Sequence, residues 1–168
     1  MSKRLILTRH AKSSWDDPTM SDHDRPLNAR GRGAADDLGD WLASRGYLPA
    51  EALVSDARRT QETWERIAAR LPATVPASFK FALYHAGVDV MLAVLRHARA
   101  DCVMMIGHNP GIAEFARQLV ARAPQHPGFR RYPTGATLVA DFEIDDWAQA
   151  GFGMGAARDF IVPRELAG

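Results

Sequence analysis

Apolar and polar positions along the chain fall into short blocks whose periods differ. Leu5-Ile6-Leu7 and Val103-Met104-Met105-Ile106 are unbroken apolar runs, the pattern of strands buried on both faces. Ala52-Leu53-Val54-Ser55 reads the same way, and residues 79–84 form a further strand-like stretch. Residues 136–143 alternate instead, which predicts a half-buried strand, and Phe160–Val162 suggest a last edge strand. Between these blocks the period lengthens. Leu38, Trp41 and Leu42 share one face of a helix predicted to start at an Asn28 N-cap, run to about Ser44 and stop at Gly46. Further helices are predicted over 58–71, 87–98 and 112–122, and residues 11–26, rich in Ser, Asp and Pro, read as a loop. Strand and helix thus take turns. The fold class expected is α/β, a three-layer α/β/α sandwich on a mostly parallel sheet, with residues 1–168 as one domain.

Two of the strand-like blocks end in chemistry. The first runs into Thr8-Arg9-His10, the other into Gly107-His108-Asn109-Pro110-Gly111. In open α/β sheets, ligands bind in the crevice beyond the carboxyl ends of the strands. A guanidinium beside an imidazole there suits an anion, which the arginine would neutralise and a neutral histidine could attack.

Composition narrows the classes. The 168 residues are 46% apolar and 24% charged, with a net charge of +1, an ordinary globular balance. It argues against a general nucleic-acid or membrane-surface binder, so neither partner is expected. The one cysteine, Cys102, opens an apolar run and reads as a small buried hydrophobe; it offers no intrachain disulfide and no thiolate zinc cage. A reducing, cytoplasmic location is expected. The start, Met1-Ser2-Lys3-Arg4, is followed by too few apolar residues for a signal peptide or a membrane span. Gly151–Ala156 spells G-x-G-x-x-A but lies too near the C-terminus for a following βαβ unit, and reads as a loop.

Four motifs in order carry a resemblance. They are Arg9-His10-Ala11-Lys12-Ser13-Ser14-Trp15-Asp16, Pro26-Leu27-Asn28-Ala29-Arg30-Gly31, Ser55-Asp56-Ala57-Arg58-Arg59-Thr60-Gln61-Glu62-Thr63 and Gly107–Gly111. Together they resemble the histidine phosphatase superfamily, which also holds the cofactor-dependent phosphoglycerate mutases, and within it the small SixA-type phosphohistidine phosphatases. The resemblance implies a phosphoglycerate mutase-like fold and phosphoryl transfer through a phosphohistidine. His10 would be the nucleophile. Arg9 and Arg59 would grip the nonbridging oxygens through paired N–H donors, His108 would donate to the same oxygens, and Ser13 would add a hydroxyl. Neither a metal nor another cofactor is implied, because arginines and imidazoles supply the positive field. The substrate implied is a phosphorylated histidine on a partner protein.

Departures from the pattern matter. Ala11 stands where the family usually has glycine, and Asp16 where many relatives carry a phosphate-touching Asn, so Asp16 is not assigned as a ligand. The general-acid Glu that mutases supply after the third strand is missing; the matching stretch is Leu83-Tyr84-His85. His85 is therefore either the acid or merely a strand cap. Arg58, next to Arg59, could exchange with it by an error of register. The alternatives left open are a small-molecule phosphomonoesterase, a catalytically weak phosphate-binding module and a zinc site on His10, His85 and His108.

Overall fold

The structure, a computed structural model, describes residues 2–167. Six strands form one sheet: β1 (Lys3–Arg9), β2 (Glu51–Ser55), β3 (Ala77–Lys80), β4 (Cys102–Gly107), β5 (Thr137–Phe142) and β6 (Ala156–Ile161). Their spatial order is β3-β2-β4-β1-β5-β6, and β1 to β4 are mutually parallel. β5 pairs antiparallel with both β1 and β6, so it alone runs against the rest. The expected mostly parallel α/β sheet is present, with helices on both faces.

The continuous apolar runs split by period two between the faces. Leu5, Leu7, Val103 and Met105 pack toward α3 (Val88–Arg96) and α4 (Gly111–Leu119). Ile6, Met104 and Ile106 pack toward α1 (Ala29–Arg45) and α2 (Arg58–Ala68). The helix that follows β1 thus covers one face and the helix that follows β4 covers the other. The neighbouring β1 and β4 are the point where the winding reverses, and a crevice opens at such a point.

Helix ends follow local chemistry. The Asn28 side chain accepts from Gly31 N–H at 2.8 Å, and Gly46 closes α1 at φ 73°. Trp41 and Trp64 are core residues, as their helical positions predict. Four expectations shift. The strand predicted over 79–84 is the four-residue edge strand β3, and Phe81–Leu83 turn instead as 3-10 helix, which brings Tyr84 and His85 to the crevice. The helix predicted to 122 ends at Leu119, because Val120 extends to bridge Gly155. β5 is buried on both faces rather than half-buried, since helices cover both sides of the sheet. The loop over 11–26 holds a 3-10 turn at Asp22–Asp24 and a bridge from Ser13 to Leu27.

Candidate active site

Two strand termini open into one cavity of about 460 Å³, and a third lies buried behind it. β1 delivers Arg9 and His10, β2 delivers Ser55, and β4 delivers His108. The first and last are locked in register where His10 N–H donates to the Gly107 carbonyl at 3.1 Å.

His10 is 6% exposed. Its Nδ1 lies 2.7 Å from the Ala11 carbonyl oxygen. A carbonyl can only accept, so Nδ1 carries the proton and Nε2 keeps the lone pair. Burial pushes this imidazole down to about 3, and the charges of Arg9, Arg59 and Arg25 push the same way against the pull of the Ala11 carbonyl. Burial therefore outranks the arginines in keeping His10 neutral.

His108, 5.3 Å from His10 between ring centroids, has both nitrogens engaged. Arg59 Nη2 donates to its Nδ1 at 3.3 Å, so the proton sits on Nε2 and is given to Ser55 Oγ at 2.7 Å. Burial, then the neighbouring His10 and Arg59, hold it down at about 2.

The arginines are the cations of the pocket. Arg59 is buried, donating through Nη1 to the Asp22 carbonyl at 2.7 Å and through Nη2 to the Asp22 carboxylate at 3.1 Å. Arg9 donates through Nη1 to the Tyr132 carbonyl at 3.3 Å. The Nε–H groups of both Arg9 and Arg59 are buried without any hydrogen-bond partner among the described residues. An orphaned buried charged donor is costly, and two in one pocket mark a place for an anion. The register question is resolved by position: Arg58 is exposed and pairs with Glu62 at 3.0 Å, outside the pocket.

Helix α2 is tied to the turn after His10 by small polar side chains. Thr63 Oγ1 accepts from Ala11 N–H at 3.0 Å and donates to the Arg59 carbonyl at 2.7 Å. Glu62 accepts from Leu27 N–H at 2.8 Å. The turn after His10 is thereby pinned to the helix that carries Arg59. At Gly31, a Cβ would stand 2.0 Å from the Lys12 carbonyl oxygen, so α1 presses against the same turn.

Ser13 lines the cavity, but its hydroxyl is already bonded by Arg25 Nη1. His85 also lines it, half exposed, at φ 53°, and donates through Nε2 to Asp22 at 3.2 Å. Asp16 lies outside it. Outside the cavity, His23 bonds Asp56 at 2.8 Å and stands edge-on to Tyr84, and His126 bonds Glu165 at 2.7 Å.

Sequence reasoning missed a carboxylate. Asp22 binds Arg59, Arg25, Tyr84 and His85 at once. Burial would raise its pKa, but the hydrogen bonds from Tyr84 and Arg25 and the charge of Arg59 win and hold it below the usual range. Arg25, buried under the exposed Trp15 ring at 3.6 Å, was missed too. Both reside in what reads as an ordinary polar loop; the only trace is the acid–base run Asp22-His23-Asp24-Arg25. No group of three or more His, Cys, Asp or Glu among the described residues could hold a metal ion, and no helix there is long and apolar enough to cross a membrane.

Comparisons with known proteins bear on the family and the fold. A sequence model described as histidine phosphatase superfamily, branch 1, matches residues 5–83. An uncharacterized protein of Mycobacterium tuberculosis is 30% identical over 93% of this chain and 99% of its own length. An uncharacterized chloroplastic protein of Arabidopsis thaliana is 38% identical over 71% of this chain; the matched region spans 60% of that protein. A solved structure from Nakamurella multipartitia, described as a SixA phosphohistidine phosphatase by assignment, superposes with a TM-score of 0.80 at 29% identity, covering 97% of each chain.

Proposed function

The chain belongs to the histidine phosphatase superfamily, and we propose that within it the protein is a metal-independent phosphohistidine phosphatase acting through a phosphohistidine on His10. One observation carries the reading: two buried guanidinium Nε–H groups without partners share a pocket with the unprotonated Nε2 of His10. A phosphoryl group placed there would satisfy both donors and face the nucleophile.

The reaction runs in two displacements. His10 Nε2 attacks phosphorus and forms an N–P bond, while the bond from phosphorus to the departing group breaks. Water then attacks the phosphorus on His10, the N–P bond breaks, and phosphate leaves with a proton released to solvent. Arg9 and Arg59 neutralise the oxygens in both steps, each such donor supplying about 3–4 kcal/mol of transition-state stabilisation. His108, with its proton given to Ser55, would reach the phosphoryl oxygens only by leaving that bond.

The departing group favours phosphohistidine over a phosphate ester. An alkoxide needs a proton as its bond breaks, worth about a hundred- to ten-thousand-fold. Asp22 is held ionised, and His108 is held neutral with its one proton given to Ser55, so neither offers a ready proton for it. An imidazole leaving group is less basic and takes its proton on its own ring. The zinc alternative loses support because both ring nitrogens of His108 are already bonded.

The test compares three substrates: a phosphohistidine peptide, an aryl phosphate and an alkyl phosphate. The phosphohistidine peptide is expected to have the highest kcat/KM and the alkyl phosphate the lowest. In His85→Ala, alkyl phosphate hydrolysis should fall about tenfold further than the other two if His85 lends the missing proton. Highest kcat/KM on the alkyl phosphate would overturn the phosphohistidine reading in favour of a phosphomonoesterase. Phosphate binding without turnover on any substrate would leave a binding module.

A further inference from the structure

A second groove, of about 690 Å³, adjoins the catalytic cavity and shares Lys12, Pro133 and Thr134 with it. Its charged lining is Lys12, Arg30, Arg131 and Arg164 against one carboxylate, Asp37. All four cations are exposed, and none makes a side-chain hydrogen bond or an ion pair among the described residues. Elsewhere several arginines are matched, Arg58 with Glu62, Arg66 with Asp36 and Arg70 with Asp40, and what sets the groove apart is that four unmatched cations line one concavity. Arg164 lies beside Glu165, but that carboxylate is taken by His126 and by Val162 N–H. The molecule as a whole carries only +1, so this is a local excess of positive charge.

The segment bearing Arg131 is held rather than loose. Tyr132 sits at φ 51°, a conformation that is strained for a non-glycine residue and persists only where its surroundings enforce it. They do so here. The buried Tyr132 hydroxyl donates to the Leu7 carbonyl and accepts from Leu138 N–H at 3.1 Å. Asn109 Nδ2 donates to the Arg131 and Tyr132 carbonyls at 2.9 and 3.1 Å, and Arg9 reaches the Tyr132 carbonyl as well. One strained turn thus orients a catalytic-pocket arginine from one side and presents Arg131 to the groove from the other.

Building on the phosphohistidine reading above, we propose that this groove receives an acidic stretch of the phosphorylated protein substrate, next to the modified histidine. Charge complementarity chooses the sign. The prolines Pro127 and Pro163 with Val162 form an apolar lining on which a peptide chain can pack, where a free ion would have no use for it. A nucleic acid fits less well, because Asp37 lies in the path and the lining offers no aromatic ring for base stacking.

Two synthetic peptides test this, each carrying one phosphohistidine, flanked by glutamates in one and by glutamines in the other. The wild-type protein should favour the glutamate peptide by about tenfold in kcat/KM, mostly through KM, with the preference shrinking as salt rises. The Arg30→Glu/Arg131→Glu/Arg164→Glu variant should lose the preference while hydrolysing para-nitrophenyl phosphate within about twofold of wild type. Should that variant fail to fold, the three single alanine variants should each lower the preference about twofold. Equal kcat/KM on both peptides, or a preference that survives the substitutions, would overturn the proposal. Binding of a fluorescein-labelled, unphosphorylated glutamate-rich peptide supplies an arm free of catalysis. If the aryl phosphate is hydrolysed and neither phosphopeptide is, the phosphohistidine reading fails; the groove then stands if that labelled peptide binds and the triple variant releases it, and falls if it does not bind. Tighter, salt-sensitive binding of a single-stranded oligonucleotide would assign the groove to nucleic acid instead.

Discussion

The cavity around His10 has two halves of different build. One is made of strand ends: Arg9 and His10 at the end of β1 and His108 after β4, backed by the buried Ser55 at the end of β2. The other is made of loops: Asp22 and Arg25 from the long segment after β1, Tyr84 and His85 from the turn after β3. The strand half holds the deeply buried, unprotonated imidazoles, and its geometry is set by the register of the sheet. The loop half is more open, and its carboxylate lies on Arg59, one of the groups an incoming phosphate would use. Chemistry is thus built on the rigid part and competition for the cation on the adaptable part. A phosphate must take Arg59 from Asp22, whereas no protein atom competes for His10 Nε2 among the described residues.

The largest expected effect lies in the strand half. His10→Ala should lower aryl phosphate turnover by about 10⁴-fold or more, with the circular dichroism spectrum unchanged. Acid-labile label trapped on the wild type from a phosphodonor should map to His10; label on another residue would break the comparison at its base. Next, Arg59→Lys should fall about 10²–10³-fold, close to Arg59→Ala, because a point charge cannot reproduce the guanidinium fork. A nearly active lysine variant would mean that Arg59 acts by charge alone.

Support for the strand half can be broken from behind. Gly31→Ala would drive a methyl into the Lys12 carbonyl, backbone against backbone, and should cost about 1–3 kcal/mol in thermal or urea unfolding. Activity should fall with it, since Lys12 follows His10 by two residues. The wild-type protein should also lose stability in acid. His10 and His108 stay unprotonated when folded down to about 3 and about 2, while in the unfolded chain they bind protons near the ordinary histidine value of 6.5. Between that value and the folded ones the unfolded state holds more protons, so stability falls as pH drops. The slope approaches about 1.4 kcal/mol per pH unit for each histidine. His10→Gln should remove about half of that slope in unfolding curves taken between pH 6 and 4.

The smallest effect belongs to the loop half. Asp22→Asn removes the competing charge from Arg59, so inorganic phosphate should inhibit about threefold more tightly. Unchanged or weaker inhibition would show that Asp22 organises the arginines rather than competing for them.

How much of this was legible in the sequence follows the same division. The strand runs, the Asn28 cap, the Gly46 stop and the chemistry at two strand ends are local signals, because burial on both faces and helix capping each leave a short pattern. They placed Arg9, His10 and His108 at two strand ends; that β1 and β4 lie side by side is a finding of the structure. Short-range pattern misjudged the stretch after residue 79, where an apolar run turns instead of extending, and β5, where alternation does not mean an exposed face.

The sequence by itself therefore determined the α/β fold class and which side chains stand at the strand ends, since these depend on residues within a turn or two of each other. Tertiary structure puts Arg59, the resemblance's choice over Arg58, in the cavity, and it alone decided that the proton of His108 is engaged by Ser55. It also decided that a carboxylate from a polar loop, 37 residues away in sequence, lies on Arg59. The physical reason is that pairing and desolvation depend on distance in space. Whether a guanidinium is buried, or an imidazole kept neutral, is set by what the rest of the chain packs around it.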